Sequence, residues 1–434
     1  MPQIKVGDYL FRRLHELGIR SVFGVPGDYE LALLDLVTDN DLAWKGNPNE
    51  LISSYAADGY ACVRVAGAFA TTFIPGELSA YCGMAGHYAE FVPVVHIFGY
   101  PTIDAVPNKR IMHHSLGNGK FDMYENMAKN ITAATVVINY APTAARDIDE
   151  MLTIMMHESR PVYIGLSVDI AYEMIDAEGA VRNGVLEESH EPIKLTNLPT
   201  FTTAMGKGGL YKAISQFAGA HSGAGTLSTV KEALESVDMV IWIGNYSSDF
   251  NTGEFTTVLD KDAIVIDLQH FSVSVAFGLC DTKLPSGVMM FSQTVYGSIE
   301  YATGAIVGVG QAIKESGVKW KRPVLITGEG SMHLTIQTLA DMLRWDLKPI
   351  IFVLNNGGYT VERLIHGKEA FFDEVAVLEY SMLGKTFSNQ LSDPIGRIVL
   401  PPLDAPSAVI KTGAAIDAFN KAKAEQRPSG IQGA

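Results

Sequence analysis

"GEGSMHLTIQTLADMLRWDLKPIIFVLNN", residues 328–356, is the stretch on which the fold turns. A Gly-acid-Gly turn follows the apolar run "PVLIT" (323–327), and Asn-Asn closes a second apolar run, "PIIFVL" (349–354), with a helical stretch between them. In parallel α/β sheets ligands sit outside the carboxyl ends of the strands, so Glu329 and Asn356 share a crevice if their strands are neighbours. Mg²⁺ takes near-octahedral oxygen ligands and shares them with phosphates and water. Glu329, the Asn356 amide oxygen and a backbone carbonyl in "GGY" (357–359) supply such a set, and Gly328 and Gly330 leave room for a diphosphate. The plain alternative is an ordinary turn, with glycine for its geometry and asparagine as a cap.

Working outward, the same alternation of apolar runs and helical stretches recurs. "IRSVFGVPGD" (19–28), "FATTF" (69–73), "PVVHIFG" (93–99), "PVYIGL" (161–166), "DMVIWIG" (238–244) and "AIVIDL" (263–268) read as strands, and 147–157 and 334–345 as helices. Near-continuous apolar strands separated by helices indicate an α/β fold of parallel sheets flanked by helices on both faces. Polar stretches at 176–199 and 274–289 mark two joints and divide the chain into an N-terminal α/β unit, a short middle unit and a C-terminal α/β unit.

The bulk numbers narrow the class. A chain of 434 residues exceeds one core, and 47% hydrophobic with 19% charged residues fits a well-packed enzyme. A net charge of −15 without a basic block argues against nucleic acid. Cys62, Cys82 and Cys280 lie far apart without metal-binding spacing, which suits reduced thiols in the cytoplasm. "MPQIKVGDYLFRRLHELG" (1–18) reads as an amphipathic helix start rather than a signal peptide, and no run is long enough to span a bilayer.

Four more stretches carry candidate chemistry. In "NPNELISSYAADGYA" (47–61), Glu50 precedes a small, mostly apolar helix; alone it is an ordinary first-turn charge favoured by the helix dipole. In "IMHHSLGNG" (111–119), His113 and His114 are adjacent and expected to point in different directions, so that one enters a site; acid–base work is the better functional reading, a solvated loop the plain one. Asp28 in "FGVPGDYELALLDLV" (23–37) reads on its own as a helix N-cap. Glu362, six residues after Asn356 in "NNGGYTVERLIHG" (355–367), stays near whatever the turn holds.

Taken with "GELSAYCGMAGHYAEFVPVVHIFGYP" (76–101), "MHHSLGNGKF" (112–121), "TTAMGKG" (202–208), "SDFNTGEF" (248–255) and "YGSI" (296–299), these stretches resemble blocks of the thiamine diphosphate-dependent 2-oxo acid decarboxylases, in the same order and along nearly the whole chain. The fungal pyruvate decarboxylases look closest, with indolepyruvate and phenylpyruvate decarboxylases near them. The resemblance implies three domains: pyrimidine-binding (1–175), a middle domain that looks truncated (198–273) and diphosphate-binding (287–434). It implies a homodimer or homotetramer with active sites between subunits, a small 2-oxo acid substrate, and thiamine diphosphate with Mg²⁺ as cofactors. It also implies roles. Glu50 bonds the aminopyrimidine, and Ile299 holds the cofactor bent. Asp28, His113, His114 and Glu362 form the acid–base cluster. Thr72, Gly297, Gly328, Gly330 and Ser331 line the cofactor, and Glu329, Asn356 and the Gly358 carbonyl take the metal.

The chain also departs from that family. Glu329 stands where the family has Asp, and the extra methylene moves the carboxylate by roughly 1.5 Å, which is expected to weaken Mg²⁺ binding. Glu300 occupies a position that is usually glycine. The chain passes from "PIKLTNL" (192–198) straight to "PTFTTAMGKG" (199–208), and from "VIDLQHFSVS" (265–274) to "VAFGLCD" (275–281), skipping middle-domain segments and most of a cofactor-lining strand. The reading is decarboxylation of a 2-oxo acid, pyruvate first, to an aldehyde and CO₂; these departures leave the alternative of a catalytically silent paralogue that assembles with an active enzyme, and a thiamine-dependent carboligase is a further alternative.

Overall fold

Residues 3–176 alternate short strands with helices, and the strands pair in parallel as the apolar runs predict. They are β1 (Gln3–Lys5), α1 (Val6–Glu16), β2 (Ser21–Gly24), α2 (Leu31–Leu34), β3 (Ala43–Gly46), α3 (Glu50–Arg64), β4 (Gly67–Thr71), α4 (Pro75–Ala89), β5 (Val94–Tyr100), α5 (Met123–Ala128), β6 (Ala134–Ile138), α6 (Ala141–Glu158), β7 (Val162–Ser167) and β8 (Met174–Asp176). Six of them form one parallel sheet in the order β3-β2-β4-β5-β7-β6. The central strands β4, β5 and β7 are buried along their whole length, as expected of strands covered on both faces. β1 and β8 pair antiparallel apart from this sheet.

The computed structural model describes residues 3–176, 198–203, 215–243, 256, 257, 259, 263–268, 291–293, 295–317, 322–359, 362, 363, 373–376 and 378–387. Most of the expected joints at 176–199 and 274–289, and nearly all of "TTAMGKG" and "SDFNTGEF", lie outside them. The described residues fall into two compact units, one within 1–87, 92–177 and 299–434, the other within 88–91 and 178–298. Among the described residues no helix is long and apolar enough to cross a membrane.

In the second unit, β9 (Thr200–Thr202) pairs parallel with β10 (Phe217–Ala220), and β11 (Met239–Ile243) with β12 (Ile264–Leu268). Helix α7 (Ser228–Glu235) contributes Leu234 to a small core with Val240 and Trp242. The other face of β11 leaves Met239, Ile241 and Ile243 exposed.

The first unit continues with α8 (Tyr301–Ser316), β13 (Val324–Gly328), α9 (Glu329–Leu334), α10 (Thr338–Arg344), β14 (Ile350–Leu354) and α11 (Tyr380–Phe387). The helix expected over 334–345 breaks at Thr335–Gln337, and Glu329 opens the helical turn before the break. The helix expected over 147–157 runs longer, starting at Ala141 with proline in its first turn, where the lost N–H is harmless.

Helix α8 lies against α3 with almost no side chain between the backbones. A Cβ on Gly59 would stand 2.0 Å from the Ala305 carbonyl oxygen, and one on Gly308 1.7 Å from that of Ala56. Around this crossing Tyr55, Tyr301 and Ala305 form an apolar cluster, and the two tyrosine rings meet edge to face at 5.7 Å. Hydroxyls then find carboxylates across it: Tyr301 donates to Asp58 at 2.6 Å, Tyr55 to Glu300 at 2.7 Å and Tyr60 to Glu315 at 2.5 Å. Glu300, at a position usually glycine in the resembling family, is thus a hydrogen-bond acceptor for α3 at the start of α8. Nearby, the Asn47 amide donates to Asp341 at 2.7 Å, and burial pushes the Asp341 carboxyl up to about 6.

Candidate active site

The carboxyl ends of β2 and β4 and the start of α3 converge on one edge of the six-stranded sheet, where such folds bind ligands. Asn49 caps α3, its side chain accepting the Ile52 N–H at 2.8 Å, and this cap sets Glu50 as the first helical residue. Glu50 is half-buried. A Cβ on Gly76 would sit 3.0 Å from Glu50 Oε1, 3.1 Å from Thr71 Cβ and 3.4 Å from Thr72 Cγ2, so glycine keeps space free beside the carboxylate. Helix α4 holds this glycine by its own capping: the buried Glu77 reaches back to the Ile74 N–H at 2.6 Å and accepts the Tyr163 hydroxyl. Burial pushes the Glu77 carboxyl up to about 7.

Asp28 is not a helix cap. The first turn of α2 has no side-chain cap; instead Glu30 accepts the Gly27 N–H at 2.7 Å, which turns Asp28 outward to accept from His113 Nε2 at 2.6 Å. The two histidines do not diverge either. His114 adopts φ +64°, a left-handed conformation that swings its side chain back over the same turn, and its Nε2 lies 4.0 Å from the other Asp28 oxygen. Tyr29 braces the pair: its ring lies 4.8 Å from that of His113, and its hydroxyl donates to the His113 carbonyl at 3.1 Å. Asp28, His113 and His114 are all exposed, as a group that meets substrate must be.

A second constellation stands at the ends of β13 and β14. These strands pair parallel with Gly328 opposite Leu354, so Glu329 and the Asn355–Gly358 loop leave the sheet side by side. The Gly358 N–H donates to Glu329 Oε1 at 2.8 Å, and the carboxylate is only 4% exposed. Tyr380 lies close by: burial, and then the Glu329 charge, push its hydroxyl up to about 12. No heavy atom lies within 4 Å of where a Cβ on Gly328 or Gly357 would stand, whereas one on Gly330 would meet the Tyr359 ring at 2.7 Å. Ser331 donates its hydroxyl to the Ile299 carbonyl, joining the end of "YGSI" to this turn. Ile299 is 52% exposed.

Glu362 is exposed on a short helical stub beyond the Asn356–Gly358 loop, and among the described residues it forms no ion pair with His113 or His114. Gly297 belongs to the second unit, where it adopts φ +63°. Among the buried acids that escaped the sequence reading is Glu30, two residues from Asp28 and 1% exposed.

The donor chemistry fits thiamine diphosphate at one end and a hard cation with phosphates at the other: an open carboxylate beside Gly76, and a carboxylate with amide and backbone oxygens beside glycines without neighbours. Comparison with known proteins supports the thiamine diphosphate end. Three family models match: thiamine pyrophosphate enzyme, N-terminal TPP binding domain, over residues 4–122; the central domain over 174–277; and the C-terminal TPP binding domain over 274–388. A putative pyruvate decarboxylase of Schizosaccharomyces pombe is 33% identical, covering 96% of this chain and 99% of its own length. Pyruvate decarboxylase isozyme 1 of Saccharomyces cerevisiae is 32% identical, covering 89% of each. Pyruvate decarboxylase of Aspergillus fumigatus is 33% identical over 88% of this chain and 87% of its own. The first alignment runs over 567 positions against a chain of 434 residues, so at least 133 of its positions have no counterpart here. On the three matched domains and these relatives, the chain belongs to the thiamine diphosphate-dependent enzymes, in the pyruvate decarboxylase group.

Proposed function

We propose that this protein decarboxylates a small 2-oxo acid, pyruvate first among them, to an aldehyde and CO₂. The observation that carries this is the Asp28–His113 pair, 2.6 Å apart with His114 beside it, on a chain with all three thiamine pyrophosphate enzyme domains. Bound thiamine diphosphate supplies the carbon nucleophile and the electron sink for the departing carboxylate.

The chain's own residues then have distinct tasks. Glu50, with Thr72 beside it, holds the pyrimidine end and moves its proton. Gly328, Gly330 and Ser331 line the diphosphate, while Glu329, Asn356 and the Gly358 carbonyl hold Mg²⁺. Ile299 shapes the bend between the two ends. His113, with Asp28 fixing its Nε2, and His114 return a proton to the carbon that has lost CO₂, with Glu362 as a further acid at the mouth. A protonation cluster favours release of an aldehyde over capture by a second oxo acid. The domain division 1–175, 198–273 and 287–434 and a homodimer or homotetramer belong to the same proposal. So does the cytoplasm, where Cys62 and Cys82, which form no disulfide, stay reduced.

The test is turnover of pyruvate by the purified chain with thiamine diphosphate and Mg²⁺, followed as CO₂ and acetaldehyde. Saturable cofactor binding without either product would sink the proposal. The metal assignment has its own expected result. Glu329→Asp draws the carboxylate back by one methylene and is expected to tighten Mg²⁺ about tenfold, or ~1.4 kcal/mol, read as the Mg²⁺ dependence of cofactor binding. Glu329→Ala should abolish that dependence. An unchanged dependence in Glu329→Ala would remove Glu329 from the metal site.

A further inference from the structure

Glu30 is an acid that the mechanism above does not use, and its surroundings are unusual. It is 1% exposed. Oε1 accepts the Gly27 N–H at 2.7 Å, Oε2 is buried without a geometrically well-placed hydrogen-bond donor, and the Thr72 hydroxyl beside the carboxyl favours its charged form less than burial disfavours it. The packing gives it little freedom. A Cβ on Gly27 would stand 2.3 Å from Thr72 Oγ1, and one on Gly99 would stand 2.7 Å from the Glu30 backbone nitrogen, so β4 and β5 both press on the turn.

We propose that Glu30 is a positioning residue for the acid–base pair: as a buried neutral carboxylic acid under the Gly27–Asp28 turn, it holds the Asp28 carboxylate against His113. An ionised Glu30 would place a second negative charge two residues from Asp28 with no water to solvate it. The turn would then have to open, and the 2.6 Å Asp28–His113 contact would be lost with it. The inference rests on reading Asp28–His113 as the acid–base pair.

The groups that face Glu30 are few among the described residues. Asp28, on its own segment, carries a charge that disfavours ionisation. Across β4 it meets Thr72, and across β5 the backbone at Gly99, neither of which titrates. Glu50 lies near the same threonine, since a Cβ on Gly76 would approach both. The imidazoles of His113 and His114 stand beyond Asp28. Burial, the largest influence, raises Glu30 from 4.5 to about 8. The acid is therefore neutral at pH 7 and ionises as pH rises through about 8. By linkage, its contribution to stability is fully present below 4.5 and lost as pH rises through about 8.

The test compares wild type with Glu30→Gln, which is neutral at every pH and still accepts the Gly27 N–H. Two readouts are taken: kcat/KM for pyruvate with thiamine diphosphate and Mg²⁺ from pH 6 to 9.5, and melting temperature of the cofactor-free protein from pH 4.5 to 9.5. Wild type is expected to lose about tenfold in kcat/KM for each pH unit above about 8, and Glu30→Gln to keep its plateau. Without cofactor, the wild-type melting temperature should fall relative to that of Glu30→Gln between pH 4.5 and 8 and run parallel above. Glu30→Ala, which drops the Gly27 contact, should lose about a hundredfold at all pH through misplacement of Asp28. Superimposable basic limbs with parallel melting curves would overturn the proposal. Should Glu30→Gln not fold, wild type alone decides: a limb near pH 8 supports the proposal, and a flat profile to pH 9.5 overturns it. Wild type without any turnover would count against the decarboxylase reading, and the melting comparison would still decide whether Glu30 holds its proton.

Discussion

Glu50→Gln is expected to lower pyruvate turnover by about two to four orders of magnitude, the usual contribution of a positioned proton-transfer group, while leaving the melting temperature nearly unchanged. Glutamine has the same shape and can still accept a hydrogen bond, but it cannot exchange a proton with the pyrimidine end of the cofactor. The site is built for a carboxylate at this point: the Asn49 cap fixes the start of α3, and Gly76 leaves the space beside Glu50 Oε1 open. Asn49→Ala should act in the same direction but weakly, because loss of a cap costs about 1 kcal/mol and loosens the first turn without removing the acid. Cofactor affinity, measured by fluorescence quenching, separates binding from chemistry: Glu50→Gln should bind thiamine diphosphate less tightly and still saturate. Turnover within threefold of wild type at saturating cofactor would rule Glu50 out as the proton-moving group.

What could be read beforehand follows from what each signal depends on. The strand ends at Glu329 and Asn356 were legible because two apolar runs and the turns after them are local features, and β13 and β14 do pair in parallel. The edge strands were not. "AWKG" (43–46) holds a lysine and a tryptophan, and "ATVVI" (134–138) is short, so neither β3 nor β6 stands out from its flanks. The Asp28–His113–His114 cluster needs a fact that residue spacing does not carry: the positive φ of His114. Glu30 was overlooked for the opposite reason. An acid at the start of a helix looks solvated on paper, and its burial arises from the segments around Thr72 and Gly99, distant in sequence. Its one visible sign was position, since Gly27–Glu30 has the span over which a carboxylate folds back on a turn.

The contact between α3 and α8 carried a signal that could have been read, for Gly304 and Gly308 lie four apart in "GAIVG" (304–308), where they face the Tyr55 ring and the Ala56 carbonyl of "YAADGYA" (55–61). Glycine at that spacing lets helix backbones touch, and the consequence for stability is large. Gly308→Ala is expected to destabilise the fold by about 2–4 kcal/mol, even though alanine favours a helix interior by about 1 kcal/mol. The added Cβ would lie 1.7 Å from the Ala56 carbonyl oxygen and 2.6 Å from the Tyr60 nitrogen, both backbone atoms that cannot rotate away. The helices must therefore separate, which strains the Tyr301–Asp58 and Tyr55–Glu300 hydrogen bonds that flank the crossing. Gly310→Ala is the matched control on the same helix, where the nearest atoms to the new Cβ are those of the Leu347 side chain, at 3.3 Å and beyond, which can give way. Urea unfolding of the two variants gives the measurement. A fall in midpoint for Gly308→Ala with Gly310→Ala near wild type supports close backbone contact, and equal midpoints would contradict it. Because α3 begins at Glu50, separating these helices also carries that carboxylate, proposed to move the cofactor's proton, away from its place beside Gly76, so Gly308→Ala should lose activity at temperatures where it is still folded.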